Sequence, residues 1–234
     1  MSKHGKKYNE AAAMVEKGKL YEMPEAIALL KKTSLVNFDS SCEVHMHLGV
    51  NPKHADQMIR ATVVLPHGTG KEVRVAAFVP DDKVKEAKEA GAVEVGNEDL
   101  IEKVAKGWLE FDVAVATPDM MRNLAKVAKI LGQKGLMPNP KAGTVTPDVG
   151  QAISEIKKGK VEFRTDKLAN IHGIFGKVSF GEDDLESNLR TFVKAVSDVK
   201  PASLKGSYIK SLILTTSMGP GVPLDVSKAL AALQ

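Results

Sequence analysis

The chain has 234 residues, 43% hydrophobic and 26% charged, which is enough apolar side chain for one large or two small domains and argues against wholesale disorder. No apolar run approaches the roughly 20 residues of a membrane helix, the opening MSKHGKKYNEAAAM lacks the apolar stretch of a signal peptide, and a single cysteine, Cys42, excludes an internal disulfide or a multi-cysteine zinc site. The net charge of +4 leans mildly toward a polyanionic partner, and 5% aromatics leave little for the base-stacking platforms of RNA-recognition sheets, so a soluble, cytoplasmic protein that meets any RNA through backbone and shape is expected.

In chain order, residues 4–17 predict a helix stopped by Gly18, and a second helix with Pro24 in its first turn runs to about Lys32. Residues 42–48 alternate as a strand, with Cys42, Val44, Met46 and Leu48 on one face and Glu43, His45 and His47 on the other. A further strand over 61–65 ends at Pro66. From His67 the pattern changes. Residues 73–79 form a nearly continuous apolar run, as in a strand buried on both faces. A charged helix over 81–90 closes at Gly91, a short strand covers 93–95, and Asn97 caps a helix reaching Lys106. A buried strand at 112–116 precedes a helix that Pro118 opens and that runs to Leu131. After a loop over 132–146, Pro147 sits in the first turn of a helix ending before Gly159. This alternation predicts parallel β-α-β units.

Beyond Gly159 the pattern returns to antiparallel: strands over 161–164 and 172–180, a long helix over 182–199 and a final strand over 208–216. The expected fold is therefore α/β: a discontinuous two-layer α+β domain from residues 1–66 and 160–234, with an inserted Rossmann-like parallel α/β domain over 67–159. The insert carries 14 basic and 14 acidic residues, so the split domain, with 19 and 15, holds the whole charge excess. An anionic partner should favour the split domain.

The segment His67-Gly68-Thr69-Gly70-Lys71 fails as a Walker A loop. Glu72 stands where Ser or Thr should follow the lysine, and Leu65 stands where the first glycine should be. It also lacks the strand-to-helix turn and third glycine of a dinucleotide site, so it reads as a flexible connection between domains. His45 and His47 are spaced to share a metal only if another strand adds a ligand, and they read better as a polar strand surface facing solvent or RNA. No nucleophile or paired-carboxylate arrangement has distinctive spacing, and Cys42 reads as a buried structural thiol. No catalytic residue, metal or cofactor is expected. The loop over 132–143, with Lys134 and Lys141, fits a phosphate cradle and a plain surface connection equally. Thr215, Thr216 and Ser217 put three hydroxyls at a strand end before the turn Met218-Gly219-Pro220-Gly221, which suits ribose and phosphate contacts across an RNA minor groove.

Five strings occur in order: Asn37-Phe38-Asp39; Leu65-Pro66-His67-Gly68-Thr69-Gly70-Lys71; Ala116-Thr117-Pro118-Asp119; the run from Gly135-Leu136-Met137-Pro138-Asn139-Pro140 to Thr144-Val145; and Thr216-Ser217-Met218-Gly219-Pro220. Together they closely resemble the L-one family of large-subunit ribosomal proteins, bacterial type, over essentially the whole chain. The resemblance implies a split domain that binds large-subunit ribosomal RNA at the mobile stalk beside the tRNA exit site. It also implies help in releasing deacylated tRNA and repression of the messenger RNA of its own operon. Carried over by motif, the ribosomal RNA surface comprises Phe38, Ser41, Ser211, Ser217, Met218 and Gly219, with Arg164, Asp166, Lys167 and His172 as neighbours. Ser41 and Ser217 stand where the family usually has Thr, which keeps a hydroxyl and drops a methyl. The inserted domain faces exit-site tRNA in the family, making Lys134 and Lys141 its contact candidates, and it would swing about the connections near 66–70 and Gly159. The expectation is a ribosome-associated, cytoplasmic RNA-binding protein, monomeric off the ribosome and not an enzyme. The rival is a nucleotide-dependent enzyme using the Rossmann-like domain, and fold class alone does not choose between them.

Overall fold

The structure is a computed structural model that describes residues 5–233. The chain divides into two compact units, one from the segment ending at Gly70 and the segment from Val161 onward, the other from Lys71 to Lys160.

The first unit opens with helix α1 (Lys6–Ala13) and helix α2 (Met23–Lys32). The expected start of α1 at His4 lies outside the described residues. Its end at Ala13, four residues before the expected Lys17, is a correction. Ala11 is its one buried residue, Met14 beyond it is exposed, and the Met14 N–H closes the helix on the Ala11 carbonyl. Strand β1 (Ser41–Leu48) alternates half-buried and buried residues along its whole length. Strand β2 (Arg60–Val64) follows.

The second unit is built on strand β3 (Val75–Phe78), with β4 (Glu94–Gly96) on one side and β5 (Val113–Ala116) on the other, all parallel. Period-two alternation splits β3 between two cores. Ala76 and Phe78 pack toward helix α4 (Glu98–Ala105), and Val75 and Ala77 pack toward helices α3 (Val84–Glu89) and α7 (Val149–Lys157). Helices therefore cover both faces, as an all-parallel sheet requires.

Three local expectations are corrected here. The helix expected over 118–131 is α5 (Met121–Leu124), a 3-10 turn (Ala125–Val127) and α6 (Ala128–Lys134). Leu124, Val127 and Leu131 are all buried, and their spacing of three and then four is met by a tighter turn followed by an α turn. Asn97 precedes α4 without capping it: its side chain makes no cap hydrogen bond, and its Oδ1 is buried without a partner. Pro147 lies before Asp148, the residue that precedes α7, and not in the first turn.

The chain returns to the first unit through β6 (Lys160–Arg164), which pairs with β2. Then come β7 (Asn170–Lys177), helix α8 (Glu182–Asp198) and β8 (Ile209–Thr216). The strand expected over 208–216 is β8, but it is not the final element: the chain turns back into β9 (Val222–Leu224) and helix α9 (Val226–Ala231). Three residues are too few to show alternation, although Asp225 caps α9 by accepting from the N–H groups of Ser227 and Lys228. The resulting sheet has the order β7-β1-β8-β9 and is antiparallel throughout. One face packs on α2, α8 and α9 through Ile27, Leu30, Leu189, Phe192, Val193 and Ala229. Among the described residues, no helix of this core packs on the other face, where Ile174 and Ile213 are exposed.

Residues 67–70, expected as a flexible connection between domains, are docked on the first unit. Asn188 of α8, fully buried, accepts from the His67 N–H at 3.0 Å and donates to the carbonyls of Gly68 and Phe175 at 2.9 Å each. Gly70 (φ +72°) leaves no room for a side chain against Lys177 and Phe180. Among the described residues, no helix is long and apolar enough to cross a membrane.

Candidate functional site

Strand register sets the order of side chains on the open sheet face. Because β1 pairs with both β7 and β8, each outward residue of β1 lies between two partners. Glu43 lies between Ile174 and Thr215, His45 between His172 and Ile213, and His47 between Asn170 and Ser211. Ser41, at the strand end, lies beside Lys177.

The Ser41 end forms a rim. The Ser217 N–H donates to the Ser41 carbonyl at 3.0 Å, and the Ser41 N–H approaches the Ser217 hydroxyl at 3.3 Å, so the ladder continues one residue past β8. Lys177 donates to the Ser41 hydroxyl (3.0 Å) and to the Asp39 carbonyl (3.3 Å). The Asp39 carboxylate in turn accepts from the Ser179 N–H and hydroxyl, pinning the segment that presents Phe38, 61% exposed. At Thr216–Gly219 the chain reverses, with the Gly219 N–H donating to the Thr216 carbonyl at 2.8 Å. Met218 takes φ +67°, the left-handed conformation that the third position of a type II turn demands and glycine usually supplies. It is 77% exposed. A side chain at Gly219 would meet the Thr216 hydroxyl, so glycine is required there.

This corrects the picture of three available hydroxyls. Thr215 Oγ1 lies 3.1 Å from the carbonyls of Thr216 and Gly219 and staples the turn. Thr216 is buried, and its hydroxyl has no partner. Ser217 alone of the three stands at the rim with Ser41. Neither serine needs the methyl of threonine for the contacts it makes.

The other end of the face collects a second group. Asp166, in the turn between β6 and β7, accepts from the N–H groups of Leu168 (2.8 Å) and Asn170 (2.7 Å), and the Asn170 N–H holds its carboxyl below the ordinary value. Arg164 ends β6 with its side chain exposed, Lys167 is exposed, and Leu168 is 72% exposed beside Ala169 at φ +63°. Asp166 also lies 3.6 Å from His172 Nε2. The His172 and His45 rings meet through their Nδ1 atoms at 2.8 Å, and His47 Nδ1 lies 2.9 Å from Asn170 Oδ1. Ser211 joins this end opposite His47.

The ten residues expected from motifs thus fall into two groups joined by one open sheet face: Phe38, Ser41, Ser217, Met218 and Gly219 at one end, and Arg164, Asp166, Lys167, His172 and Ser211 at the other. Lys177, Leu168, Ile174 and Ile213 share this surface and were not singled out in sequence. The register with β1 places Lys177, Ile174 and Ile213 there, and the Asp166 turn before β7 presents Leu168.

In the second unit, Lys134 ends α6 and Lys141 lies in a 3-10 turn (Pro140–Ala142); both are exposed. The loop is braced from within: Asn139 accepts from the Lys141 N–H, and the Asn139 N–H donates to the Thr144 hydroxyl. Lys71, the lysine of the failed phosphate loop, is paired with Asp112 at 2.7 Å. Among the described residues, no three His, Cys, Asp or Glu side chains gather as a metal site. Cys42 is buried, and burial pushes its thiol up to about 12.

The family model described as the Ribosomal protein L1p/L10e family matches residues 30–220, most of the chain and parts of both units. The chain belongs to this family, whose role is that of a ribosomal, RNA-binding constituent and is generally not enzymatic.

Proposed function

We propose that the open sheet face and its Ser217 rim bind large-subunit ribosomal RNA at the mobile stalk beside the tRNA exit site. The observation that carries this reading is Met218, a large apolar side chain held exposed at a left-handed φ, at the sheet end where Phe38 is exposed too. Backbone strain persists where the surroundings over-determine it, and it concentrates at ligand-contact sites. Ser41, Ser217 and Lys177 supply donors for 2′-hydroxyl and phosphate oxygens next to these two apolar groups. Arg164, Lys167 and His172 extend the contact at the far end, with Asp166 ordering their turn and Ser211 closing the row. The second unit meets exit-site tRNA through Lys134 and Lys141 and assists release of the deacylated molecule. The same rim binds the messenger RNA of its own operon and represses its translation. Off the ribosome the protein is a cytoplasmic monomer.

Titration of the full-length protein with a stalk RNA fragment tests the central statement. Binding is expected to weaken as salt rises, because each phosphate contact releases counterions. Ser217→Ala removes the hydroxyl with little change in volume and is expected to cost about 1–3 kcal/mol of binding. Full affinity in that variant removes Ser217 from the interface. Crosslinking in cells, mapped at nucleotide resolution, separates the ribosomal, transfer and messenger targets.

A further inference from the structure

The methionines of this chain are distributed unevenly. Met23, Met46 and Met120 are buried, whereas Met14, Met58 and Met218 are 55%, 62% and 77% exposed. Of these three, only Met218 sits in a turn that forbids retreat. The Gly219 N–H closes onto the Thr216 carbonyl, Thr215 Oγ1 staples the far side, and the Ser217 N–H ties the entry to Ser41. The left-handed backbone then carries the thioether outward. A sulfur presented in this way is open to two-electron oxidants, and its oxidation turns an apolar group into a polar one.

We infer that Met218 is a peroxide-sensitive modification site that controls RNA binding. The thioether sulfur attacks one oxygen of hydrogen peroxide, and an S–O bond forms as the O–O bond breaks. The departing oxygen leaves with the electron pair as hydroxide and takes up the proton from the oxygen now on sulfur, which gives the sulfoxide and water. The sulfur is oxidised by two electrons and the peroxide reduced by two. The consequence rests on the RNA reading above. Bound RNA covers the sulfur and protects it, while in the free protein the new sulfoxide oxygen stands where a dry apolar contact is needed. Burying that oxygen without a partner opposes rebinding. The device therefore acts on protein not yet assembled with RNA.

The test uses the full-length protein. Untreated protein is first titrated with the stalk RNA fragment, and failure to bind at this step overturns the RNA reading alone. Protein with and without RNA is then exposed to hydrogen peroxide, and each methionine is followed by peptide mass spectrometry. Met14 and Met58 are expected to oxidise in both samples, Met218 only without RNA, and Met23 and Met46 in neither. Oxidised protein is expected to bind about tenfold or more weakly, and treatment with methionine sulfoxide reductase to restore it. Met218→Leu keeps an apolar side chain on the same backbone and is expected to retain its affinity after peroxide. The inference is overturned if Met218 oxidises no faster than Met46, if oxidised protein binds as untreated protein does, or if Met218→Leu loses affinity to peroxide as the unsubstituted chain does.

Discussion

His45 and His172 meet through Nδ1 atoms 2.8 Å apart, so one ring must donate and the other accept, and two protonated rings cannot keep the contact. Burial, and after it the His172 ring, holds His45 below its ordinary value, against the opposing pull of Glu43. The charged groups nearby are Glu43 on β1 and Asp166 before β7, with His47 next along the outward row, while β8 offers the uncharged Ile213. A lowered folded-state value means that the unfolded chain takes up the proton first. The contribution of neutral His45 is therefore complete above roughly pH 6.5 and declines as pH falls through that value toward the lower folded-state one. The urea midpoint should drop between about pH 7.5 and about pH 5.5, and drop less in His45→Gln. Identical slopes would show that the pair does not govern this limb. Cys42 is a sharper case of the same physics. With its thiol at about 12 and no solvent contact, it should ignore a disulfide reagent until the chain unfolds. Reaction at the pace of a free thiol would show that the β1 core face opens in the native state.

Helix α8 crosses the sheet where β7 has no side chain. A Cβ at Gly173 would fall 2.4 Å from the Phe192 ring, which is fully buried and packs on Phe163 with centroids 5.4 Å apart. The ring cannot give way without disturbing that pair. Gly173→Ala is therefore expected to destabilise the first unit by about 1–3 kcal/mol, read from the urea midpoint; an unchanged midpoint would mean that the helix shifts freely over the sheet. Elements of this kind differ in how far sequence alone discloses them. Alternation gave away β1 because each apolar residue there meets the core, and the unbroken apolar run gave away β3 because helices cover both its faces. No comparable pattern marks β9 in three residues, and the 3-10 turn before α6 answers to tertiary packing. The candidate site divides similarly. Phe38, Ser217, Met218 and Gly219 were legible as motif strings, but which hydroxyls face outward depends on closure of the turn. The His45–His172 contact joins residues 127 apart, a pairing that local spacing cannot reveal.

At the scale of the whole molecule, three clusters of buried apolar residues are found among the described residues, one in the first unit and two in the second, so each unit has its own source of stability. Two polar anchors allow the units to be loosened separately. Asn188 satisfies its amide through three hydrogen bonds inside the first unit, and Asn188→Ala leaves the part-buried His67 N–H and the carbonyls of Gly68 and Phe175 short of a partner. That loss should cost about 2–4 kcal/mol. Asp112 anchors the second unit. The Lys71 ammonium, with the Arg74 backbone and side chain, holds its carboxyl down to about 2. A depressed carboxylate stabilises above its unfolded value near 3.8 and loses that contribution as pH falls toward 2. Lys71 and Arg74 are exposed, so solvent screening leaves about 1 kcal/mol for Asp112→Asn to remove at neutral pH. Amide hydrogen exchange reads the two units apart. Asn188→Ala should lower protection in β1, β7 and β8 and leave β3 and β5 as they were, whereas Asp112→Asn should do the reverse. If either substitution lowers protection in both sets by the same amount, the two units unfold as one, and the independence inferred from their separate cores is wrong.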